Sequence, residues 1–145
     1  MSLQDQKAYI EAIDEPKKSE IETLHKLILK VFPTKDLWLY NGSKGKMNQN
    51  SIMGFGRHIV QYAGGKTGEW FPVGLSANKT GISLYLVGVK GEFEAKKDYG
   101  AKLGKASIGG SCIRFKQLSD MHLDVIEQAV KDCIAAHKRN KSLIA

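Results

Sequence analysis

The stretch "EWFPVGLSANKTGISLYLVGV" (Glu69–Val89) decides the fold class of this protein. Its second half, from Ile82 to Val89, is rich in β-branched, aliphatic and aromatic residues, which is typical of a strand. Asn78–Gly81 supplies a short turn, and the apolar residues before it predict a strand over Glu69–Ala77. Strands joined by so short a turn pair in opposite directions. The stretch therefore predicts an antiparallel sheet.

Further elements extend this hairpin on both sides. Apolar residues at helical spacing predict helices in residues 3–32. Three further strands are predicted over Leu37–Tyr40, Ile52–Ala63 and Ser111–Phe115. A helical insert is predicted over 91–103, and a final helix over 119–138. Together they predict one α+β domain over residues 1–145, whose curved, mostly antiparallel sheet of about five or six strands occupies 37–116. The N-terminal and C-terminal helices are expected on one face of that sheet.

Composition narrows the class of protein. The chain has 145 residues, of which 42% are hydrophobic and 26% charged, as in an ordinary soluble domain. No run approaches the roughly 18 apolar residues of a membrane span, and the polar start has no signal-peptide core. The two cysteines lie far apart and form no disulfide framework. These features predict a cytoplasmic protein with no membrane partner.

The positive charge is concentrated in the middle of the chain. The formal net charge is +7, and Lys and Arg outnumber Asp and Glu by thirteen to five in residues 35–118. A basic field favours anionic partners such as phosphates or carboxylates. An ordinary solvated basic surface is the alternative. The lysines are scattered and match no recognised nucleic-acid motif, so a nucleic acid partner is not predicted.

Alternation along the strands sorts the side chains onto two faces. The aliphatic set, suited to packing under helices, comprises Leu37, Leu39, Phe71, Val73, Leu75, Ile82, Leu84, Leu86, Ile113 and Phe115. The opposite set comprises Trp38, Tyr40, Trp70, Tyr85, Cys112 and Arg114. A bulge at Gly54, Gly56 or Pro72 would break this alternation. The second face is therefore predicted to be aromatic and cationic.

Three interpretations of the second face are open. It is a second small core closed by the 41–51 loop and the 91–103 insert, a homodimer interface, or a pocket for a flat or anionic ligand. In the pocket, Arg114 would anchor the charge, Trp38, Trp70 and Tyr85 would stack on the ligand, and Tyr40 would add a hydrogen bond. Cys112 would lie in the same pocket.

Catalytic and metal-binding patterns are not indicated. Cys112 lies inside a predicted strand with no histidine close in sequence, unlike an activated nucleophile. The four histidines show no ligand-spaced cluster, so no metal site and no cofactor is predicted. The segment Lys102–Ser111 (KLGKASIGGS) lacks the P-loop spacing and precedes a strand, so Gly109 and Gly110 predict a turn. We therefore expect a binding protein and not an enzyme.

Several motifs resemble a known bacterial family. Residues 65–88 (GKTGEWFPVGLSANKTGISLYLVG), 103–105 (LGK), 111–120 (SCIRFKQLSD) and 123–130 (LDVIEQAV) are similar to the YdhG-like family, a domain of unknown function. The resemblance covers most of residues 7–134. It implies a small cytoplasmic α/β domain, related to frataxin at superfamily level, and supplies no catalytic residues.

The expected function is non-enzymatic binding of a small anionic or aromatic ligand on the second sheet face. A frataxin-like iron chaperone is one alternative, since iron prefers oxygen and nitrogen ligands. It would use the carboxylates of the first helices, which are Asp5, Glu11, Asp14, Glu15, Glu20 and Glu22. A homodimerising interaction module is the other alternative.

Overall fold

The protein is α+β, as the sequence predicts. The structure, a computed structural model, describes residues 3–140 apart from the side chain of Lys44. The helices are α1 (Leu3–Glu11), α2 (Lys17–Val31), α3 (Ala95–Asp98) and α4 (Leu123–Arg139). The strands are β1 (Leu37–Tyr40), β2 (Ile52–Phe55), β3 (His58–Gln61), β4 (Thr67–Trp70), β5 (Val73–Asn78), β6 (Gly81–Leu86), β7 (Ser107–Ile108) and β8 (Cys112–Phe115). Residues 1, 2 and 141–145 of the predicted domain lie outside the described residues.

Six of these strands form one open sheet. Their order is β1-β2-β5-β6-β8-β7, and every neighbouring pair is antiparallel. β3 and β4 pair only with each other, as a separate two-stranded ribbon. The short turns between β5 and β6 and between β7 and β8 dictate that each of these two pairs is antiparallel, because a parallel pair needs a long crossover.

The main core lies between one sheet face and the helices. Val73, Leu75, Leu84 and Leu86 are fully buried on this face, as alternation predicts. Ile21, Leu24 and Ile28 of α2 and Ile126, Val130 and Cys133 of α4 are fully buried in the same hydrophobic cluster. No helix in residues 3–140 combines the length and the apolar character that a membrane crossing requires.

Two long predicted strands are each broken in the structure. The Ile52–Ala63 strand leaves the sheet at Gly56, whose φ of +84° is accessible to glycine at little cost. A Cβ at Gly56 would also lie 2.4 Å from the Phe32 ring. The Glu69–Ala77 strand is interrupted at Phe71 and Pro72, and the chain re-enters the sheet at Val73. The segment between the two breaks forms the β3–β4 ribbon.

Three other predicted elements differ from the structure in detail. The 91–103 insert is not one helix, because only Ala95–Asp98 is α-helical and Gly100–Leu103 forms a 3₁₀ turn. The last helix begins at Leu123, after a 3₁₀ turn over Leu118–Asp120, and not at 119. Its N-cap position is His122. The two-residue strand β7 was not predicted.

Candidate ligand-binding site

The strand register aligns the predicted site residues on the second face. One row across the sheet reads Trp38, Gly54, Gly74, Tyr85 and Cys112, because each residue is paired with the next. Arg114 lies two residues along β8 from Cys112, on the same face. The row crosses five strands, so Trp38 and Cys112 are separated by about 19 Å at the usual spacing of roughly 4.8 Å per strand. The set therefore divides into an aromatic half and a polar half.

The aromatic half is a small packed cluster. The ring centroids of Trp38 and Trp70 are 6.2 Å apart, and those of Tyr40 and Trp70 are 4.9 Å apart. Phe71 stacks on Trp70 with centroids 4.2 Å apart and meets Trp38 edge-on at 5.8 Å. Phe71 is only 1% exposed, which corresponds to a core residue. This half of the face is therefore packed around the Phe71 ring.

Phe71 corrects one face assignment. Alternation predicts it on the aliphatic face with Val73, yet its ring lies on the second face against Gly54 and Gly74. A Cβ at Gly54 would lie 2.3 Å from the Phe71 ring, and one at Gly74 would lie 2.6 Å from it. The prediction fails because the chain is outside the sheet at Phe71 and Pro72, where the period of two no longer applies.

The cation beside the tryptophans is Arg57, which the sequence did not single out. Its guanidinium carbon lies 5.2 Å from the Trp38 ring centroid. The same guanidinium contacts Glu69 at 2.7 Å and Asp36 at 3.6 Å, so its charge is already compensated. Arg114 lies at the far end of the row and does not take this position.

The polar half contains Tyr85, Cys112 and Arg114. Tyr85 and Cys112 are half-buried, and Arg114 is exposed. Burial raises the pKa of the Tyr85 hydroxyl, the Cys112 thiol adds to the rise, and Ser83 and the positive charge of Arg114 oppose it. No carboxylate among residues 3–140 forms an ion pair with Arg114. These three residues remain a predicted site of an anionic ligand.

Several other chemistry-bearing groups have local partners. His25 Nε2 lies 2.8 Å from Gln6 Oε1 inside the core, and burial raises the pKa of Cys133 to about 12. Of the carboxylates in the first helices, Glu11 pairs with Lys18, and Glu15 accepts hydrogen bonds from Ser19. Within the described part of the chain, no three His, Cys, Asp or Glu side chains are grouped to hold a metal ion.

A pair of buried histidines joins the ribbon to α4. The rings of His58, in β3, and His137, in α4, have centroids 4.7 Å apart. His137 Nε2 lies 2.9 Å from the Val87 carbonyl oxygen. Burial lowers the pKa of both rings, and that of His58 reaches about 4 because the neighbouring imidazole also disfavours its charge. Both rings are therefore neutral near pH 7.

A cleft of about 380 Å³ lies where α1, the 41–51 loop and the β5–β6 turn meet, and we name it the α1 cleft. Its ten lining residues are Tyr9, Ala12, Ile13, Lys17, Met47, Asn48, Gln49, Ala77, Asn78 and Lys79. Five of them are apolar and two are lysines, and none is acidic. Volumes of roughly 300–1,000 Å³ with mostly apolar walls are usual for small-molecule sites.

The floor of the α1 cleft is fixed by Tyr9. Its hydroxyl oxygen accepts a hydrogen bond from Ala77 N at 2.9 Å and donates to Ala77 O at 3.0 Å. The paired register between β2 and β5 ends at Met53 and Leu75, so Tyr9 supplies partners where the ladder stops. The side chain is 3% exposed. Only apolar ring surface is therefore offered to a ligand at this point.

The wall of the α1 cleft is a loop with its own hydrogen bonds. Asn48 Nδ2 donates to the Asn41 and Lys46 carbonyl oxygens at 3.0 and 2.9 Å. Ser51 Oγ donates to Asn41 Oδ1, and Ser51 O accepts from Ser76 Oγ at 2.7 Å. These bonds connect the loop to β5. Asn and Ser at turn positions are the sequence signal that could have predicted a loop held by its own side-chain hydrogen bonds.

The α1 cleft carries its charge at the rim. Lys17 Nζ donates to the Asn78 carbonyl oxygen, which holds the ammonium group beside the β5–β6 turn. Lys79 is exposed on that turn, and no carboxylate among residues 3–140 forms an ion pair with it. Met47, on the loop, is 43% exposed. The sequence reasoning missed these residues because they come from three segments that meet only in the folded chain.

Comparisons with protein-family models, with curated proteins and with solved structures found no match to this chain. The fold and the geometry described above therefore carry the functional argument.

Proposed function

We propose that the protein reversibly binds a small amphipathic anion, a carboxylate with a hydrocarbon tail, in the α1 cleft. The observation that carries the proposal is the composition of the lining: apolar walls, two lysines at one rim and no acidic residue. The sequence predicts the same broad class of ligand, small and anionic, and expects it on the second sheet face.

The apolar walls account for the tail. Ala12, Ile13 and Ala77 present aliphatic surface, and burial of such surface contributes about 25 cal/mol per Å². Met47 adds an adaptable thioether, which suits irregular apolar ligands. Because Met47 is 43% exposed, a ligand can cover its surface.

The lysines account for the anionic group. An ammonium that binds a carboxylate forms a charge-assisted hydrogen bond, which is about twice as strong as a neutral one. Because the lining has no acidic side chain, a cationic ligand of the same shape would be repelled. Charge discrimination is thus the property by which the proposal is best tested.

Isothermal titration with three ten-carbon probes tests it: decanoate, 1-decanol and decylammonium. We expect decanoate to bind about tenfold more tightly than 1-decanol, the difference that one charge-assisted contact of roughly 1.4 kcal/mol supplies. Decylammonium is expected not to bind. Lys79→Gln should remove the advantage of decanoate, and Met47→Gln should weaken decanoate and 1-decanol alike.

Two matched variants control this titration. Lys66→Gln removes an exposed lysine of the ribbon that does not line the α1 cleft, and it should leave decanoate binding unchanged. Arg114→Gln should also leave it unchanged. Loss of decanoate binding in Arg114→Gln would instead place the ligand on the second sheet face and contradict the proposal, as would decylammonium binding as tightly as decanoate.

A further inference from the structure

A second cleft lies at the other end of β6. It has a volume of about 440 Å³ and separates the segment after β6 from the β7–β8 turn, and we name it the glycine cleft. One wall carries Lys90, Glu94 and Lys96, and the other is the turn Gly109–Ser111. This is the turn for which the sequence excludes a P-loop, since a strand and not a helix follows it.

The backbone of this turn has N–H donors that find no acceptor within residues 3–140. Gly109 N–H donates to the Cys112 carbonyl oxygen at 2.8 Å, and the Ser111 carbonyl oxygen accepts from Leu86 N at 3.0 Å. No acceptor among residues 3–140 takes a hydrogen bond from the N–H of Gly110 or of Ser111. Consecutive backbone N–H groups in a turn are a common element of anion-binding sites.

Glycine at position 110 is required neither by its conformation nor by packing. Gly110 is absent from the positive-φ residues, and a Cβ built on it would meet no atom within 4 Å. Gly54, by contrast, has the Phe71 ring at 2.3 Å from such a Cβ. Glycine lowers stability through its unfolded-state entropy. Because glycine has no side chain, the backbone N–H groups at position 110 and beside it stay accessible to a ligand at the turn.

The opposite wall supplies charge. Lys90 and Lys96 are exposed, and neither forms an ion pair with a described carboxylate. The Ser111 hydroxyl lies on the turn side of the cleft and can donate to the same anion. Glu94 is the one acidic residue in the lining, and it disfavours a second anionic group. The lining therefore matches one dianionic group attached to a neutral remainder.

We propose that the glycine cleft binds a phosphate monoester whose remainder is a neutral, hydroxyl-bearing group. A phosphate has three terminal oxygens, which suit the turn N–H groups, the Ser111 hydroxyl and the two lysines together. Glu94 accepts hydrogen bonds from hydroxyl groups of the remainder. The volume of about 440 Å³ leaves room for that remainder beside the phosphate.

Amide NMR and calorimetry on the full chain test this site, with glucose 6-phosphate as probe and glucose as its neutral counterpart. At constant ionic strength, glucose 6-phosphate should shift the amide signals of Gly110 and Ser111, and glucose should not. Lys96→Gln should weaken binding about tenfold, the loss of one charge-assisted contact. Lys97→Gln removes the next lysine of the chain, which does not line the cleft, and should change the affinity less than about twofold.

Substitutions at Gly110 provide the second arm. The open space around its Cβ allows both Gly110→Glu and Gly110→Gln to fold, and equal melting temperatures would verify this. Gly110→Glu should abolish binding by repulsion, and Gly110→Gln should retain part of it. Unmoved amides of Gly110 and Ser111, or equal losses in Lys96→Gln and Lys97→Gln, would overturn the proposal. The decanoate experiment probes a different cleft, so either proposal can fail alone.

Discussion

The two faces of the six-stranded sheet are closed by different means. On the first face, aliphatic side chains such as Leu84 and Leu75 are covered by α2 and α4. On the second face, no helix is needed over β2 and β5, because Gly54 and Gly74 leave a recess that the Phe71 ring fills. The ring comes from the chain's own return to the sheet at Pro72. A face without an aliphatic pattern can thus still hold a core.

Comparing the two faces also shows why the second face has an aromatic half and a polar half. Phe71 and the tryptophans cover the strands near β1, where Arg57 is tied to Glu69 and Asp36. They do not reach β8, where Arg114 is exposed. The clefts with lysine rims lie beyond the two ends of β6, next to Lys79 and Lys90. The two proposed ligand sites therefore lie at the two ends of β6 and not over the middle of the second face.

The largest expected effect comes from Phe71→Ala. Because Phe71 is 1% exposed, this change should lower the free energy of unfolding by about 4 kcal/mol, as for other buried phenylalanines. Urea unfolding at pH 7 measures it. Tyr40→Ala, at a ring that is 42% exposed, should cost less than about 1 kcal/mol. Similar losses in the two variants would contradict a second core.

A double-mutant cycle sharpens this result. Gly54→Ala alone should cost about 2 kcal/mol, because its methyl group would overlap the Phe71 ring. In a Phe71→Ala background the same methyl group has room, so its cost should nearly vanish. Gly110→Ala, where the space is open, is the matched control and should change stability little. If Gly54→Ala lowered the free energy of unfolding equally with and without Phe71→Ala, glycine would not be needed at position 54 to make room for the Phe71 ring.

The next largest effect is a pH dependence at the contact between the ribbon and α4. Because burial and His137 lower the pKa of His58 to about 4, the unfolded chain binds this proton more readily than the folded chain. Stability is therefore full above about pH 6.5 and decreases as the pH falls towards 4. Between pH 8 and pH 5, His58 should account for a loss of about 2 kcal/mol.

Urea unfolding at pH 8 and pH 5 checks the histidine prediction. His58→Leu should reduce the difference between the two pH values by about 2 kcal/mol, whereas His122→Asn, at an exposed histidine, should not. The same pH dependence in His58→Leu and in the unmodified protein would show that the buried pair is not responsible.

The smallest effect separates the two arginines of the second face. Arg57→Gln removes a cation–π contact and two partly exposed ion pairs, which together contribute about 1 kcal/mol. Arg114→Gln removes no ion pair within residues 3–140 and should change stability by less than about 0.5 kcal/mol. Equal losses, measured by urea unfolding, would mean that Arg114 has a structural partner as important as that of Arg57.

Local patterns were sufficient to predict most elements of the fold. Alternation in β6 and β8 placed Leu84, Ile113, Tyr85 and Arg114 on the correct faces, because a strand has a fixed period of two. The same rule failed at Phe71, where the chain leaves the sheet. A bend of this kind depends on what Gly56 and Pro72 pack against, and Phe32 is 24 residues away from Gly56 in the chain.

By itself, the sequence determined the α+β class, the antiparallel pairing and the aliphatic first face, because propensity, short turns and periodicity are local properties. The tertiary structure alone decided that Phe71 fills the recess above two glycines and that Arg57, not Arg114, lies beside Trp38. It also decided that Lys17, Met47 and Lys79 line one cleft. The physical reason is that these contacts join distant segments, and their geometry is set only when the sheet and helices pack.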